Sequence, residues 1–317
     1  MKNKILSIIS VLLVLVVSVI IIISRSPKKD DLVIRMSIGY VPSNAPIVVI
    51  NDLNLMDKYL PNSKLEFFVS TSGSNTNQAL IANQIDGATL DLTNFLIGIE
   101  RNVPYKILTS ISYMKMSLQT NDQNIKSIHD IRSNHLIGVN SLTGTSALVL
   151  SLAAEKYLGA HDALNNQLVV LPAAELTMSL ANKSGISLAF VNALTRIDQN
   201  ELGCPTIFED DVLFDSILFT NYVIFNESFY NGNPELINAF NKALKEAIDL
   251  IYSKNDEALN AISKNFNIDK ETFIQFLDTV MFIYKLNDFT SINTLADMAM
   301  KMGFISSVKS LEQIVFK

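Results

Sequence analysis

The sequence predicts an α/β protein of two lobes, each a mainly parallel sheet flanked by helices, preceded by an N-terminal apolar helix. Three observations carry this. Short strand patterns alternate with helix patterns from Val33 to Ile111. The same order restarts between Asn121 and Asp215. An apolar run, broken only by Ser7, Ser10 and Ser18, covers Ile5 to Ile23.

The elements follow in order. The apolar run, as a helix rising about 1.5 Å per residue, reaches roughly the thickness of a bilayer core. It exceeds the apolar core of about 7–15 residues typical of a cleaved signal, and Ile21 to Ser26 offers no small-residue cleavage site. A retained anchor is expected, with cleavage and secretion as the alternative. No cysteine follows the run, so a lipoprotein attachment is excluded. Lys2 and Lys4 precede it, and Arg25, Lys28 and Lys29 follow it, so charge alone does not set the orientation. Residues 1–31 are thus read as anchor or signal plus a polar tether.

Val33 to Val41 alternates, with Ile34, Met36, Ile38 and Tyr40 on one face, and reads as a strand. Pro42 to Pro46 breaks it, and a helix is expected to about Tyr59. Strands are expected at Lys64–Ser70, Asp86–Leu90 and Tyr105–Ile111, with helices around Ala79–Ala82 and Asn94–Arg101. The second unit has strands at His135–Val139, Gln167–Leu171 and Ile186–Val191. One of its helices ends at Leu158, with Gly159 as its cap. The C-terminal part is helical. Asn233 and Pro234 open a helix whose apolar stripe runs Leu236, Ile237, Phe240, Leu244, Ile248, Ile251. Asp269 opens a second, bearing Phe273, Ile274, Leu277 and Met281, and a third covers Ile292–Met302.

Composition limits the function. All 31 acidic residues lie from Asp30 onward and five of the 25 basic ones lie before it, so the body carries a formal charge of −11. That argues against a nucleic-acid footprint, which needs clustered Lys and Arg. Cys204 is the single cysteine, so no intramolecular disulfide and no CxxC metal pair can form. It is expected to be a buried, inert thiol. His129, His135 and His161 have no metal-ligand spacing, and no phosphate-loop, dinucleotide or nucleophile-elbow motif occurs. Neither a catalytic residue nor a metal site nor a cofactor is expected.

In open parallel sheets, ligands bind beyond the C-terminal strand ends, where helix N-termini converge. Four polar loops fall at such places: Pro42-Ser43-Asn44, Ser70 to Ser74, Asp91-Leu92-Thr93-Asn94 and Ser141 to Ser146. Their hydroxyls and N–H groups suit a polar or anionic head group, and they equally suit ordinary helix capping. Tyr40, Phe190 and Tyr222 are candidate stacking surfaces or core residues.

Ile38 to Pro42, Ala79 to Ala88, Pro104 to Leu108, His129 to Val139, Leu171 to Glu175 and Met302 to Ile305 together resemble segments of ABC-transporter substrate-binding proteins of the nitrate/sulfonate/taurine and thiamine-precursor type. Ile38-Gly39-Tyr40-Val41-Pro42 is similar to their first strand, and Ala79 to Ala88 to their AL-x-x-G-x-x-D-x-A segment. Pro104-Tyr105-Lys106-Ile107-Leu108 resembles P-V-K-I-L. His129 to Arg132 through Leu136 to Val139 resembles the entry to the second lobe, and Leu171 to Glu175 resembles L-x-P-A-E. Met302 to Ile305 and Ser310 to Glu312 are similar to the closing segments. The chain departs from the family at Asn83-Gln84, where Gly is usual, and at Ile186 to Ala189, which lacks the usual acid.

The resemblance implies a type II periplasmic-binding-protein-like fold. Lobe 1 would comprise 32–118 plus 219–317 and lobe 2 would comprise 119–218, with crossings near Ser117–Asn121 and Phe219–Val223. It implies a monomeric, extracytoplasmic receptor, not an enzyme, that delivers a small polar or anionic organic solute to an ABC permease and its ATPase. An enzyme on this fold would need a reactive His or Lys in the cleft, which these loops lack. The remaining alternative is a membrane-anchored sensor or scaffold ectodomain without a transport role. By position, Ser43, Asn44, Ser72, Gly73, Thr93, Ser141, Thr143, Gly144, Thr145, Glu175 and Asn192 would face the ligand.

Overall fold

The computed structural model describes residues 32–70, 72–192, 202–214, 217, 219–279 and 282–317. The expected N-terminal helix and tether, and Met281, lie outside the described residues. Among the described residues, no helix is long and apolar enough to cross a membrane.

Strand β1 (Leu32–Gly39) buries Ile34, Met36 and Ile38 in the alternating register that its sequence sets. A 3-10 turn at Pro42–Asn44 stops it and leads into α1 (Ala45–Asp52) and α2 (Leu55–Tyr59). The single helix expected to Tyr59 is split because Asn54 takes a left-handed conformation, φ 52°. Strand β2 (Ser63–Ser70) lies parallel to β1 on one side. After α3 (Gly73–Ile81), β3 (Gly87–Asp91) lies parallel to β1 on the other. Helix α4 (Leu92–Glu100) and β4 (Tyr105–Met114) follow.

The chain then crosses at Lys115 into a second sheet. Strand β5 (Met116–Thr120) occupies most of the segment expected to be a crossing. Next come β6 (Ile137–Val139), α5 (Thr145–Leu158), β7 (Leu168–Val170) and α6 (Ala173–Ala181). Strands β8 (Leu188–Asn192) and β9 (Thr206–Glu209) complete the sheet. The order is β7-β6-β8-β5-β9.

A 3-10 turn at Asp210–Leu213 begins the return to the first sheet. Strand β10 (Asn221–Asn226) enters between β3 and β4, antiparallel to both, because it arrives from the opposite direction. Helices α7 (Glu227–Gly232), α8 (Pro234–Tyr252), α9 (Asp256–Phe266) and α10 (Lys270–Asp278) follow. Strand β11 (Phe282–Tyr284), α11 (Thr290–Lys301) and α12 (Leu311–Ile314) close the chain. The first sheet therefore reads β11-β4-β10-β3-β1-β2. Both sheets have a parallel part, from strand–helix–strand units, extended by antiparallel strands where the chain crosses between them.

Apolar layers cover both faces of the first sheet. Helices α1, α2, α8, α9 and α10 pack on one face, and α4 and α11 on the other. The α8 stripe is fully used: Leu236, Ile237, Phe240, Leu244, Ile248 and Ile251 are all buried. Each such side chain contributes about 1.5–3 kcal/mol relative to exposure. The second sheet has its own smaller layers, one of which encloses Cys204. Burial pushes that thiol up, which fits the inert role expected of it.

Candidate functional site

The parallel strands of both sheets end at one gap. Strand β1 ends at Gly39, before the Pro42–Asn44 turn; β2 leads to Ser72 at the start of α3; β3 ends on Asp91, the cap of α4. From the second sheet, β6 leads to Gly144 at the start of α5, and β7 to Pro172 at the start of α6. Five helix N-termini therefore surround the gap, with first-turn N–H groups that have no partner within their own helices. The space between is a cavity of about 440 Å³, within the range usual for small-molecule sites.

Its first-sheet wall includes Tyr40, Ser43, Asn44, Ser70, Ser72, Gly73, Thr76, Asp91 and Asn94. Its second-sheet wall includes Asn140, Ser141, Gly144, Thr145, Ser146, Leu176 and Phe190. Met114 and Met116, on either side of Lys115, floor it where the chain crosses. Seven of the sequence-selected residues line the cavity: Ser43, Asn44, Ser72, Gly73, Ser141, Gly144 and Thr145.

Four do not. Thr93 lies past the cap of α4, where the helix turns it into the core at 2% exposure. Thr143 is exposed outside the lining and donates its hydroxyl to Asn94 Oδ1 at 3.2 Å. Glu175 sits in the first turn of α6 and is exposed. Asn192 pairs its backbone with Met116, and its side chain lies outside the described part. Of the candidate stacking rings, Tyr40 and Phe190 line the cavity, whereas Tyr222 is core and donates its hydroxyl to Phe219 O at 3.0 Å.

The residues missed are Asp91 and Asn94, which flank the chosen Thr93. Asp91 Oδ1 accepts from Asn94 N–H at 3.1 Å and from the Thr145 hydroxyl at 3.3 Å. Its Oδ2 accepts from Asn94 Nδ2 at 2.7 Å. Burial pushes this carboxyl up from its ordinary range, and the hydrogen bonds from Asn94 and Thr145 oppose the shift. In the sequence an Asp before a helix reads as a cap, and it is one here. Nothing local shows that it also meets the second sheet through Thr145. Gly73 completes this corner: a Cβ there would lie 2.5 Å from Asn94 Cγ, so only glycine lets α3 pack against the Asn94 side chain.

The front of the cavity is similarly fixed. Asn221 donates to Asn44 Oδ1 at 2.9 Å, and Asn44 donates to Gly39 O at 2.9 Å. The Tyr284 hydroxyl donates to Pro42 O. Ser70, Ser72 and Thr76 bond one another, with the Thr76 hydroxyl donating to Ser70 Oγ at 3.0 Å and Ser70 to Ser72 O at 2.9 Å.

Two α/β halves enclosing such a gap between their strand ends define the periplasmic-binding-protein fold. Solved structures of that fold superpose on most of the chain. The aliphatic sulphonate binding protein SsuA of Escherichia coli matches with a TM-score of 0.72 at 13% identity, over 90% of this chain and 92% of its own. The alkanesulfonate-binding protein SsuA of Xanthomonas axonopodis, bound to MOPS, gives 0.74 at 9% identity, over 90% and 98%. The nitrate-binding protein NrtA of Synechocystis gives 0.69 at 11% identity, over 90% and 86%. At these identities the likeness shows the fold. No protein-family model and no curated protein sequence matches the chain.

Proposed function

We propose that this chain is the solute-binding component of an ABC import system and captures a small polar organic molecule between two lobes. In this reading the lobes are 32–118 plus 219–317 and 119–218, which close on the solute and present it to a permease and its ATPase. The apolar stretch at Ile5–Ile23 holds the body at the extracytoplasmic face. The role is binding, not catalysis.

The observation that carries the reading is the cavity itself. It lies between the two sheets, takes walls from both, and is rimmed by hydroxyls and helix N-termini at the strand ends. The neighbours of this fold named above, binding proteins by their descriptions, support it. The test is a thermal-shift screen of the body, residues 32–317, against sulfonates, nitrate, pyrimidines, amino acids and amines. A true receptor gains about 2.7 kcal/mol when ligand stands at about a hundred times its Kd. No stabilisation by any class would overturn the reading.

A further inference from the structure

The charge of the cavity wall narrows the ligand. Among the described residues, no lysine, arginine or histidine lines it, and Asp91 is the one charged residue that does. The groups that hold the Asp91 carboxylate, Asn94 N–H, the Asn94 amide, the Thr145 hydroxyl and the backbone N–H of Asp91 itself, are all neutral. No salt bridge to Asp91 occurs among the described residues. The two rings in the wall, Tyr40 and Phe190, present the π-surfaces that attract cations. Thr89, also in the wall, has a hydroxyl without a partner among the described residues.

We propose that the solute is an organic amine whose protonated nitrogen sits against the Asp91 carboxylate. This rests on the solute-binding reading above and narrows the polar or anionic solute expected from the sequence to a cationic one. The opposing influence is the set of helix N-termini, each worth roughly half a positive charge at its end. Asp91 itself caps α4, and Ser72 caps α3 by accepting from Asn75 N–H at 3.2 Å. The ends at α5 and α6 carry no side-chain cap; a hydroxyl or carbonyl oxygen elsewhere on the amine satisfies them. An anion would be brought against the Asp91 carboxylate with no side-chain cation among the described lining residues to hold it. Beyond the charged end, Met114, Met116, Leu176 and Phe190 offer an apolar wall for the body of the ligand.

The experiment compares butylamine, phenethylamine and putrescine with butanol, phenethyl alcohol and butanesulfonate, by calorimetry and thermal shift at neutral pH. The expected result is that amines bind at least tenfold more tightly than their matched alcohols and sulfonates. Asp91→Asn, which keeps a residue equally good at capping a helix, is expected to lose at least tenfold of the amine affinity. The ranking on the unaltered protein stands even if that variant folds poorly. Sulfonate binding that exceeds amine binding, or amine binding indifferent to D91N, overturns the amine assignment and leaves the solute-binding function intact. Silence across all six compounds and across the wider screen overturns both.

Discussion

Asp210 shows how a single buried acid is placed at a crossing between the sheets. It opens the 3-10 turn after β9 and is 3% exposed. The Tyr113 hydroxyl donates to its Oδ1 at 3.2 Å, and Met116 N–H also bonds it. Lys115 spends its charge on the neighbours instead, pairing with Glu209 at 3.0 Å and Asp211 at 2.7 Å. Desolvation therefore prevails, and the carboxyl is pushed up from 3.8 to about 6. An acid whose folded value is raised favours the folded state when protonated. Its contribution is fully present only below the ordinary value of 3.8 and is lost progressively as pH rises past about 6, a total change of about 3 kcal/mol. Asp210→Asn removes this component. In urea denaturation, the variant should gain on the wild type by about 2 kcal/mol between pH 4 and pH 7. Parallel pH profiles for the two proteins would show that Asp210 is ionised normally.

At the scale of elements, packing decides positions that propensity does not. Gly98 lies in the last turns of α4, where helix propensity favours alanine by about 1 kcal/mol. Yet a Cβ there would overlap the Tyr105 hydroxyl, which is held by Asn77 Oδ1 at 3.0 Å and Phe95 O at 3.1 Å in a buried cluster. Gly98→Ala should cost a net 2 kcal/mol or so, because overpacking of a rigid site exceeds the propensity gain. Gly232, at the end of α7, has open space where its Cβ would stand. Gly232→Ala should be neutral within about 0.5 kcal/mol. Chemical denaturation of both variants checks the contrast, and equal effects would refute it.

The same distinction explains what the sequence reveals. The strands β1 to β4 and the stripe of α8 are legible because one apolar face alternates with polar residues. Strand β5 is not, since its Ser117, Gln119 and Thr120 are polar yet fully buried. Two of them find partners distant in the chain: Gln119 donates to Cys204 O at 3.1 Å and Thr120 to Ser187 O at 3.0 Å. Strand β11, three residues long, is too short to show a period. The polar loops of the cleft are legible because strand ends and helix starts mark them. Which residue of each loop faces the cavity is set by the cap geometry, which separates Asp91 from Thr93.

For the whole molecule, the question is how the two halves are coupled. Helix α5 belongs to the second unit by sequence, yet it packs against α4 and α11 of the first. Leu148, with no exposed surface, joins the cluster containing Leu92, Phe95, Leu96 and Leu295. Next to it, Thr145 bonds Asp91 and Thr143 bonds Asn94, so the cleft corner and this contact are continuous. The Lys301–Glu155 pair at 2.8 Å also bridges α11 and α5, but as an exposed pair it is worth about 0–1 kcal/mol. Leu148 therefore carries the coupling. Leu148→Ala should cost about 2–5 kcal/mol, as large buried truncations do. Leu150→Ala, which empties only the second-unit core, should cost a similar amount. The two should differ in cooperativity. L148A weakens the contact between the halves, so its urea transition is expected to broaden or separate into two, while L150A keeps one transition for the body. If both variants unfold in one transition with the wild-type slope, the halves are coupled elsewhere, and the two crossings at Lys115 and Asp210–Leu213 become the elements that hold them as one unit.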